Sequence, residues 1–154
     1  MKYNVAVVGA TGAVGREMLQ TLAERKFPVA KVYALASSKS IGTEVSYGDD
    51  GILTVEALDK FDFSEAEIAL FSAGGDTAKI YAPKAGQAGC LVIDNSSAFR
   101  MDDDVPLVVP EVNSISLASC LTENGGRNII ANPNCSTAQL VVALKPLHDA
   151  FVVK

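Results

Sequence analysis

One cysteine stands where a strand-like segment passes into a helix-like one. Cys135 follows the turn Asn132-Pro133-Asn134 and precedes a long apolar segment of helical spacing. The dipole and free N–H groups of a helix N-terminus favour a thiolate at that position. The Asn134 amide and backbone N–H groups of the turn are candidate donors to an oxyanion. We therefore predict a nucleophilic Cys135; the alternative is a small residue of the core.

The other cysteines and the single histidine fit ordinary structural roles. Cys90 precedes an apolar run typical of a core strand, and Cys120 fits a helix end. A thiolate nucleophile usually needs a general base. His148 is thirteen positions beyond Cys135, about 20 Å along a helix at ~1.5 Å per residue, so we do not expect it to be that base. Three widely spaced cysteines argue against a disulfide framework or zinc site and fit a reducing compartment.

A glycine-rich turn near the N-terminus points to a dinucleotide. Gly9, Gly12 and Gly15 follow an apolar run in a G-x-x-G-x-x-G pattern and open an amphipathic helix, a variant of the Rossmann fingerprint. Gly9 would permit the sharp turn, Gly12 the close approach of a pyrophosphate, and Gly15 close packing of helix on strand. N–H groups at the helix start would hold the anion. The alternative is a tight turn that binds nothing.

The end of the second predicted strand indicates which dinucleotide binds. NAD sites usually carry an acid about 20 residues past the glycines, where it binds the ribose hydroxyls. This chain has Ser37, Lys39 and Ser40 there instead. Hydroxyl groups and an ammonium suit a 2′-phosphate, which an acid would repel. We predict NADP as the cofactor; the alternative is a polar surface loop.

Residues 94–100 form a second candidate anion site, because they follow another predicted strand and ligands of open α/β sheets bind beyond the carboxyl ends of strands. Arg100 could hold a phosphate or carboxylate through two hydrogen bonds. The alternative is a surface arginine paired with the acidic run Asp102-Asp103-Asp104. That run lacks the spacing of a metal site, and we predict no metal.

The elements that must position these residues alternate between strand and helix. The alternation predicts an α/β fold with a Rossmann-like, doubly wound, mostly parallel sheet and right-handed crossovers, in one domain over residues 1–154. A hairpin is predicted around the turn 48–51. Predicted strands cover 3–8, 32–36, 43–47, 52–56, 68–72, 91–95, 107–109 and 128–131, and predicted helices cover 14–26, 76–88, 112–121 and 136–151, with Pro83 bending or restarting one helix and Pro146 interrupting another.

Composition excludes several classes of function. Hydrophobic residues make up 49% of the chain and charged residues 20%, which predicts a packed core rather than disorder. A net charge of −5 argues against nucleic-acid binding, and no apolar run approaches the ~20 residues that span a membrane. Without a secretory leader, we expect a cytoplasmic protein acting on a small molecule. The apolar ending 151–154 suggests a fragment of a longer protein.

Five segments occur together in one enzyme family. They are residues 5–15, 70–74, 92–100, 105–113 and 132–137. Together they resemble the N-terminal half of bacterial aspartate-β-semialdehyde dehydrogenase, and the last two are the most specific. The resemblance implies an oxidoreductase that makes aspartate semialdehyde by NADPH reduction of β-aspartyl phosphate through a cysteine thioester. The resemblance further implies that this oxidoreductase acts in the biosynthesis of diaminopimelate and lysine, methionine and threonine.

The resemblance also implies a role for each site residue. Cys135 matches the family's nucleophile, Asn134 its neighbour, and Arg100, with Ser97 nearby, the phosphate-binding position. Lys39 stands where many members have arginine. The cofactor-binding positions are Gly9, Thr11, Gly12, Ala13 and Val14 around the phosphates, Ser37, Lys39 and Ser40 around the 2′-phosphate, and Ser72, Ala73 and Gly74 near the nicotinamide.

The resemblance also implies a second, α+β half outside residues 1–154, with the acid/base histidine, a substrate-carboxylate arginine and the main homodimer interface. We therefore expect this chain alone to lack full activity. Two alternatives remain open. The related N-acetyl-γ-glutamyl-phosphate reductases have glycine where this chain has Asn134, and a non-catalytic dinucleotide-binding module would need no reactive thiol.

Overall fold

The computed structural model describes residues 1–49 and 51–153. Strands of the described chain are β1 (Tyr3–Val8), β2 (Val29–Ala36), β3 (Glu44–Tyr47), β4 (Gly51–Ala57), β5 (Ile68–Phe71), β6 (Leu91–Asp94) and β7 (Ile129–Ala131). Helices are α1 (Ala13–Glu24), α2 (Gly75–Gln87), α3 (Pro110–Asn113) and α4 (Cys135–Phe151).

These strands form one sheet in the order β3-β4-β2-β1-β5-β6-β7. All neighbouring strands are parallel except β3, which pairs antiparallel with β4 as the predicted hairpin requires. From β1 the chain builds outwards in one direction to β2 and in the other to β5, so the topological switch point lies at β1. The doubly wound, mostly parallel sheet confirms the predicted Rossmann-like α/β class.

Helices cover the sheet on both faces, which explains why the central strand is a continuous apolar run. Val5 to Val8 of β1 have no exposed surface. On one face, α2 packs through alanines, including Ala82. On the other face, α1 packs through Leu19 against Val7 and the neighbouring strands. α1 and α2 therefore lie on opposite faces of the sheet. Ligands of doubly wound sheets bind at the edge formed by the carboxyl ends of the strands.

Two prolines predicted to disturb helices do not interrupt them. α2 continues through Pro83, because Ala82 before it and Ala85 after it are both buried against the sheet. α4 continues through Pro146. Pro146 is exposed, so the carbonyl that loses its N–H partner can bond to water instead.

The region between β6 and β7 also differs from the prediction. The strand predicted at 107–109 is a single bridge between Leu107 and Ala131. The helix predicted at 112–121 is the short α3 followed by a 3₁₀ segment, Ser114–Cys120, because repeated serines favour local side-chain bonding over α-helix. Ser119 Oγ donates to the Ser116 carbonyl at 2.8 Å.

Two residues lie outside the described ranges, and the last helix ends close to the second of them. The predicted turn 48–51 includes Asp50, which lies outside the described residues, as does Lys154. Phe151 is the last residue of α4, at the predicted helix end. No residue of α4 is buried, and Leu147 and Phe151 are 50% and 79% exposed. Within the described ranges, no helix is long and apolar enough to cross a membrane.

Candidate active site and dinucleotide cleft

A cleft of about 520 Å³ opens at the carboxyl ends of β1, β2 and β5, beside the switch point. Ligands of doubly wound sheets bind at this place. The residues that line it are Gly9, Thr11, Gly12, Ala36, Ser37, Ser38, Leu58, Asp59, Ser72, Ala73, Thr77 and Tyr81. The tertiary structure therefore brings together predicted cofactor residues from three separate segments of the chain.

The glycine turn forms the floor of this cleft. Gly9 has a φ of +88°, and a Cβ atom there would stand 2.9 Å from the backbone of Ser72 and Ala73. A Cβ atom on Gly15 would overlap the Gly9 carbonyl oxygen. Gly9 and Gly15 are thus required by the backbone itself, whatever the cleft binds. A Cβ atom on Gly12 would meet only the Gly9 carbonyl oxygen, at 3.4 Å.

The start of α1 suits an anionic ligand. Gly12 caps the helix without a side-chain hydrogen bond, and the first turn contains no acidic residue. Arg16, one turn along α1, donates from Nε to the Thr11 carbonyl at 3.2 Å and so places a positive charge beside the loop. Uncapped N–H groups, an open glycine and a nearby cation fit the pyrophosphate of a dinucleotide. The sequence analysis did not single out Arg16, although its place in the first turns of the helix predicted over 14–26 is visible in the sequence.

Five predicted cofactor residues do not line the cleft. Val14 lies instead in a groove between α1 and Leu70, together with Ala13. Lys39 is exposed in the short 3₁₀ turn next to Ser37, and the Ser40 N–H donates to the Ser37 carbonyl at 2.9 Å. Gly74 caps α2 with a φ of +84°.

Other cleft residues were not expected from the sequence. Asp59 follows β4, and Thr77 and Tyr81 belong to α2. A carboxylate therefore lines the cleft from the segment after β4, the neighbour of β2, and not from the end of β2 itself. The signal for Asp59 would have been the position of β4 beside β2, which depends on strand order and not on any local pattern.

Arg100 is held by backbone carbonyl groups and not by carboxylates. Its Nε donates to the Asn132 carbonyl at 2.9 Å and its Nη2 donates to the Asn95 carbonyl at 3.1 Å. The alternative pairing of Arg100 with the acidic run is wrong, because Arg127 forms those ion pairs, at 3.1 Å to Asp102 and 3.4 Å to Asp104. The Arg100 guanidinium therefore has no carboxylate partner among the described residues.

The loop that carries Arg100 is anchored by a buried carboxylate. Asp94 has no exposed surface and accepts hydrogen bonds from Ser96 N at 3.0 Å and Ser96 Oγ at 2.6 Å. Ser96 Oγ accepts in turn from Ala98 N at 3.1 Å. Ser97 is exposed on this loop. Sequence reasoning did not single out Asp94, although an aspartate that ends a buried strand was visible there.

Cys135 is the first residue of α4 and is exposed. Asn134 caps the helix, since its Oδ1 accepts from Ser136 N at 3.0 Å and Ser136 Oγ at 2.7 Å. Cys135 Sγ lies 3.8 Å from the same Oδ1. The Asn134 oxygen accepts hydrogen bonds in the cap, and its NH₂ group remains as a donor to an oxyanion.

The remaining cysteines are shielded, and the histidine is remote. Burial, with Glu67 nearby, raises the pKa of the Cys90 thiol to about 12, and burial raises the pKa of Cys120. His148 is exposed in the last turn of an unbroken α4. Cys135 and His148 lie on one continuous helix, which at ~1.5 Å per residue separates them by about 20 Å.

Comparison with known proteins decides the family. Residues 4–120 match the family described as semialdehyde dehydrogenase, NAD binding domain. The chain belongs to this family. The match confirms the resemblance that the sequence motifs indicated and identifies an oxidoreductase family with a dinucleotide-binding domain.

Individual members of the family are similar over nearly the whole chain. An aspartate-semialdehyde dehydrogenase of Shewanella violacea is 54% identical over 150 residues, which are 97% of this chain and 43% of that protein. The crystal structure of aspartate semialdehyde dehydrogenase II from Vibrio cholerae, complexed with ASA, matches with a TM-score of 0.91 and 52% identity, covering 97% of this chain and 47% of that one. The crystal structure of aspartate semialdehyde dehydrogenase with NADP from Candida albicans matches with a TM-score of 0.74 and 31% identity, covering 98% of this chain and 48% of that one. The chain spans less than half the length of these relatives.

Proposed function

We propose that residues 1–154 are the NADP-binding, nucleophile-bearing part of an aspartate-semialdehyde dehydrogenase. The observation that carries this proposal is the exposed Cys135 at the start of α4, on a turn that Arg100 holds through the Asn132 carbonyl. A thiol and an uncompensated guanidinium on one pair of loops suit a substrate with both an electrophilic carbon and an anionic leaving group. An acyl phosphate has both.

The cleft fits NADP, whose reduced form, NADPH, would supply the hydride that reduces the acyl group. The open Gly12 and the start of α1 would hold the pyrophosphate. Ser37, Lys39 and Ser40 would bind the 2′-phosphate, and Ser72, Ala73 and Gly74 would flank the nicotinamide. The NADP complex of the Candida albicans relative supports a dinucleotide in this cleft. The preference for the phosphorylated form depends on the hydroxyl groups and the ammonium at the end of β2.

The side chains of this chain would perform the acylation step. The Cys135 thiolate attacks the acyl carbon of β-aspartyl phosphate, the carbon–sulfur bond forms, and the bond to phosphate breaks. Arg100, with Ser97 on the same loop, binds the departing phosphate. N–H groups at the start of α4 and the Asn134 NH₂ group stabilise the tetrahedral oxyanion. After reduction, the thiohemiacetal collapses to the aldehyde and releases the thiol.

Proton transfer during reduction would come from outside this chain. His148 is too far from Cys135 to move a proton within the required 2.6–3.2 Å or so. We infer that residues 1–154 alone do not turn over.

We also propose a cytoplasmic homodimer of a longer protein that acts in lysine, methionine and threonine biosynthesis. The exposed apolar side chains of α4 support a partner surface on that helix.

The acylation half-reaction tests this function directly. We expect β-aspartyl phosphate to place one aspartyl group on Cys135, seen by mass spectrometry of peptides, with release of one equivalent of phosphate. Cys135→Ser should show no acylation and no phosphate release above spontaneous hydrolysis. Cys120→Ser, the matched control at a buried cysteine, should show both products. Faster acylation by N-acetyl-γ-glutamyl phosphate would favour the reductase alternative. No acylation of an otherwise alkylatable Cys135 would favour a non-catalytic binding module.

A further inference from the structure

Two asparagines connect the loop of Arg100 to the turn of Cys135. Asn132 Nδ2 donates to Asn95 Oδ1 at 2.7 Å, and both side chains are half-buried. Arg100 donates to the main-chain carbonyl oxygens of these same two residues. The amide pair and the two acceptors of the guanidinium therefore belong to one unit.

This unit lies where the sheet ends. Asn95 follows β6 and Asn132 follows the neighbouring parallel strand β7. The last ladder bond joins Asn132 N to the Asp94 carbonyl at 2.8 Å. Beyond that bond the two loops are joined by the amide pair and by Arg100. Since Cys135 is three residues past Asn132, a shift between the loops changes the position of the guanidinium relative to the thiol.

We propose that Asn95 and Asn132 are a positioning pair that sets the place of the Arg100 guanidinium relative to Cys135, and with it the preference of this thiol for anionic electrophiles. The proposal rests on the proposed function, in which the anion is the phosphate of an acyl phosphate. Arg100 donates through two of its nitrogen atoms to neutral carbonyl oxygens. Because neither acceptor carries a charge, the positive charge of the guanidinium remains available to an anion. The buried Asp94 does not cancel this charge through a direct bond, because Ser96 takes both of its oxygens.

The test compares two reagents that form the same bond with Cys135. Iodoacetate and iodoacetamide both alkylate the thiol and expel iodide, but only iodoacetate is an anion. The ratio of their second-order rates at low salt reports the local positive charge and cancels changes in thiol reactivity. Arg100→Met should lower this ratio about two- to fivefold, which is the effect of one unit charge at roughly 4–8 Å in water.

Asn95→Ala should lower the ratio about twofold or more, with the iodoacetamide rate and the thermal midpoint near those of the unmodified chain. Asn132→Ala should also lower the ratio. If Asn132→Ala fails to fold, Asn95→Ala still decides the test. Asn113→Ala is the matched control. Asn113 also ties a loop through its side chain, to Val109 N and the Leu107 carbonyl, both at 2.9 Å, and its loss should leave the ratio unchanged.

The outcomes separate this proposal from the proposed function. An unchanged ratio in folded Asn95→Ala, alongside a reduced ratio in Arg100→Met, overturns the positioning role and leaves the anion role of Arg100 intact. An equal reduction in Asn113→Ala also overturns it, since general loosening would then explain the effect. An unchanged ratio in Arg100→Met removes the anion site itself. Added salt should bring all ratios together, because screening weakens exposed charges.

Discussion

Gly15 packs so closely against Gly9 that a Cβ atom on Gly15 would overlap the Gly9 carbonyl oxygen. We expect Gly15→Ala to reduce the free energy of unfolding by about 1–3 kcal/mol, because backbone on both sides must shift. Gly12→Ala should change it by no more than about 0.5 kcal/mol, since Gly12 has φ −76° and ψ 164°, angles that alanine adopts readily. Thermal or urea denaturation measures both values.

The two variants should also differ in dinucleotide binding. A methyl group on Gly12 projects from a residue that lines the cleft, where a pyrophosphate would need close approach to the backbone. We expect Gly12→Ala to weaken NADP binding by about tenfold or more, roughly the loss of one good hydrogen bond to a charged group. Calorimetric titration measures this change. If the folded Gly12→Ala chain binds NADP as tightly as the unmodified chain, the pyrophosphate does not bind at this turn.

Alkylation at neutral pH should select one cysteine. Burial holds the pKa of Cys90 at about 12 and raises that of Cys120, so both stay protonated and enclosed at pH 7. Cys135 is exposed at a helix start, and we expect iodoacetamide to modify it alone and faster than a model thiol. Peptide mass spectrometry locates the label. In urea all three should react; modification of Cys90 first in the folded chain would contradict this assignment.

The chain should bind NADP more tightly than NAD. Ser37, Lys39 and Ser40 replace the acid that NAD sites carry at the end of β2, and Lys39→Asp should reduce the preference by placing a negative charge beside the 2′-phosphate. Lys2→Asp makes the same charge change at the opposite end of the sheet and should leave the preference unchanged. Equal or tighter NAD binding by the unmodified chain in calorimetry would refute the cofactor assignment.

Residues 1–154 should show negligible NADP-dependent oxidation of aspartate semialdehyde with phosphate, since no proton-transferring histidine lies within reach of Cys135. His148→Ala should leave both the alkylation rate of Cys135 and, in a full-length protein, the turnover nearly unchanged. A spectrophotometric assay of NADPH formation checks the first statement. Robust turnover by this chain that disappears in His148→Ala would contradict both the placement of α4 and the need for a further segment.

Local patterns were sufficient for the parts of the molecule with local causes. The buried run of β1 and the three glycines after it predict a strand, a sharp turn and a helix, because Gly15 packs against Gly9 only six residues away. The close approach of Gly9 to Ser72 and Ala73 depends on the tertiary structure. Cys135 at the start of α4 was readable for the same reason, since an asparagine cap and a following apolar helix are sequence-local signals. The predictions that Pro83 restarts a helix and that Pro146 interrupts one are wrong, because the burial of Ala82 and Ala85 and the exposure of Pro146 are properties of the folded surroundings.

The partners of the site residues were decided by tertiary structure alone. Arg100 lies close in sequence to Asp102 and Asp104, yet it bonds to carbonyl oxygens of the β6 and β7 loops, while Arg127 takes the acids. Asp59 enters the cleft only because β4 pairs with β2. Types and spacing of residues determined which chemistry this chain can support, whereas strand order determined which groups meet, since hydrogen bonds between parallel strands join segments that no local pattern connects.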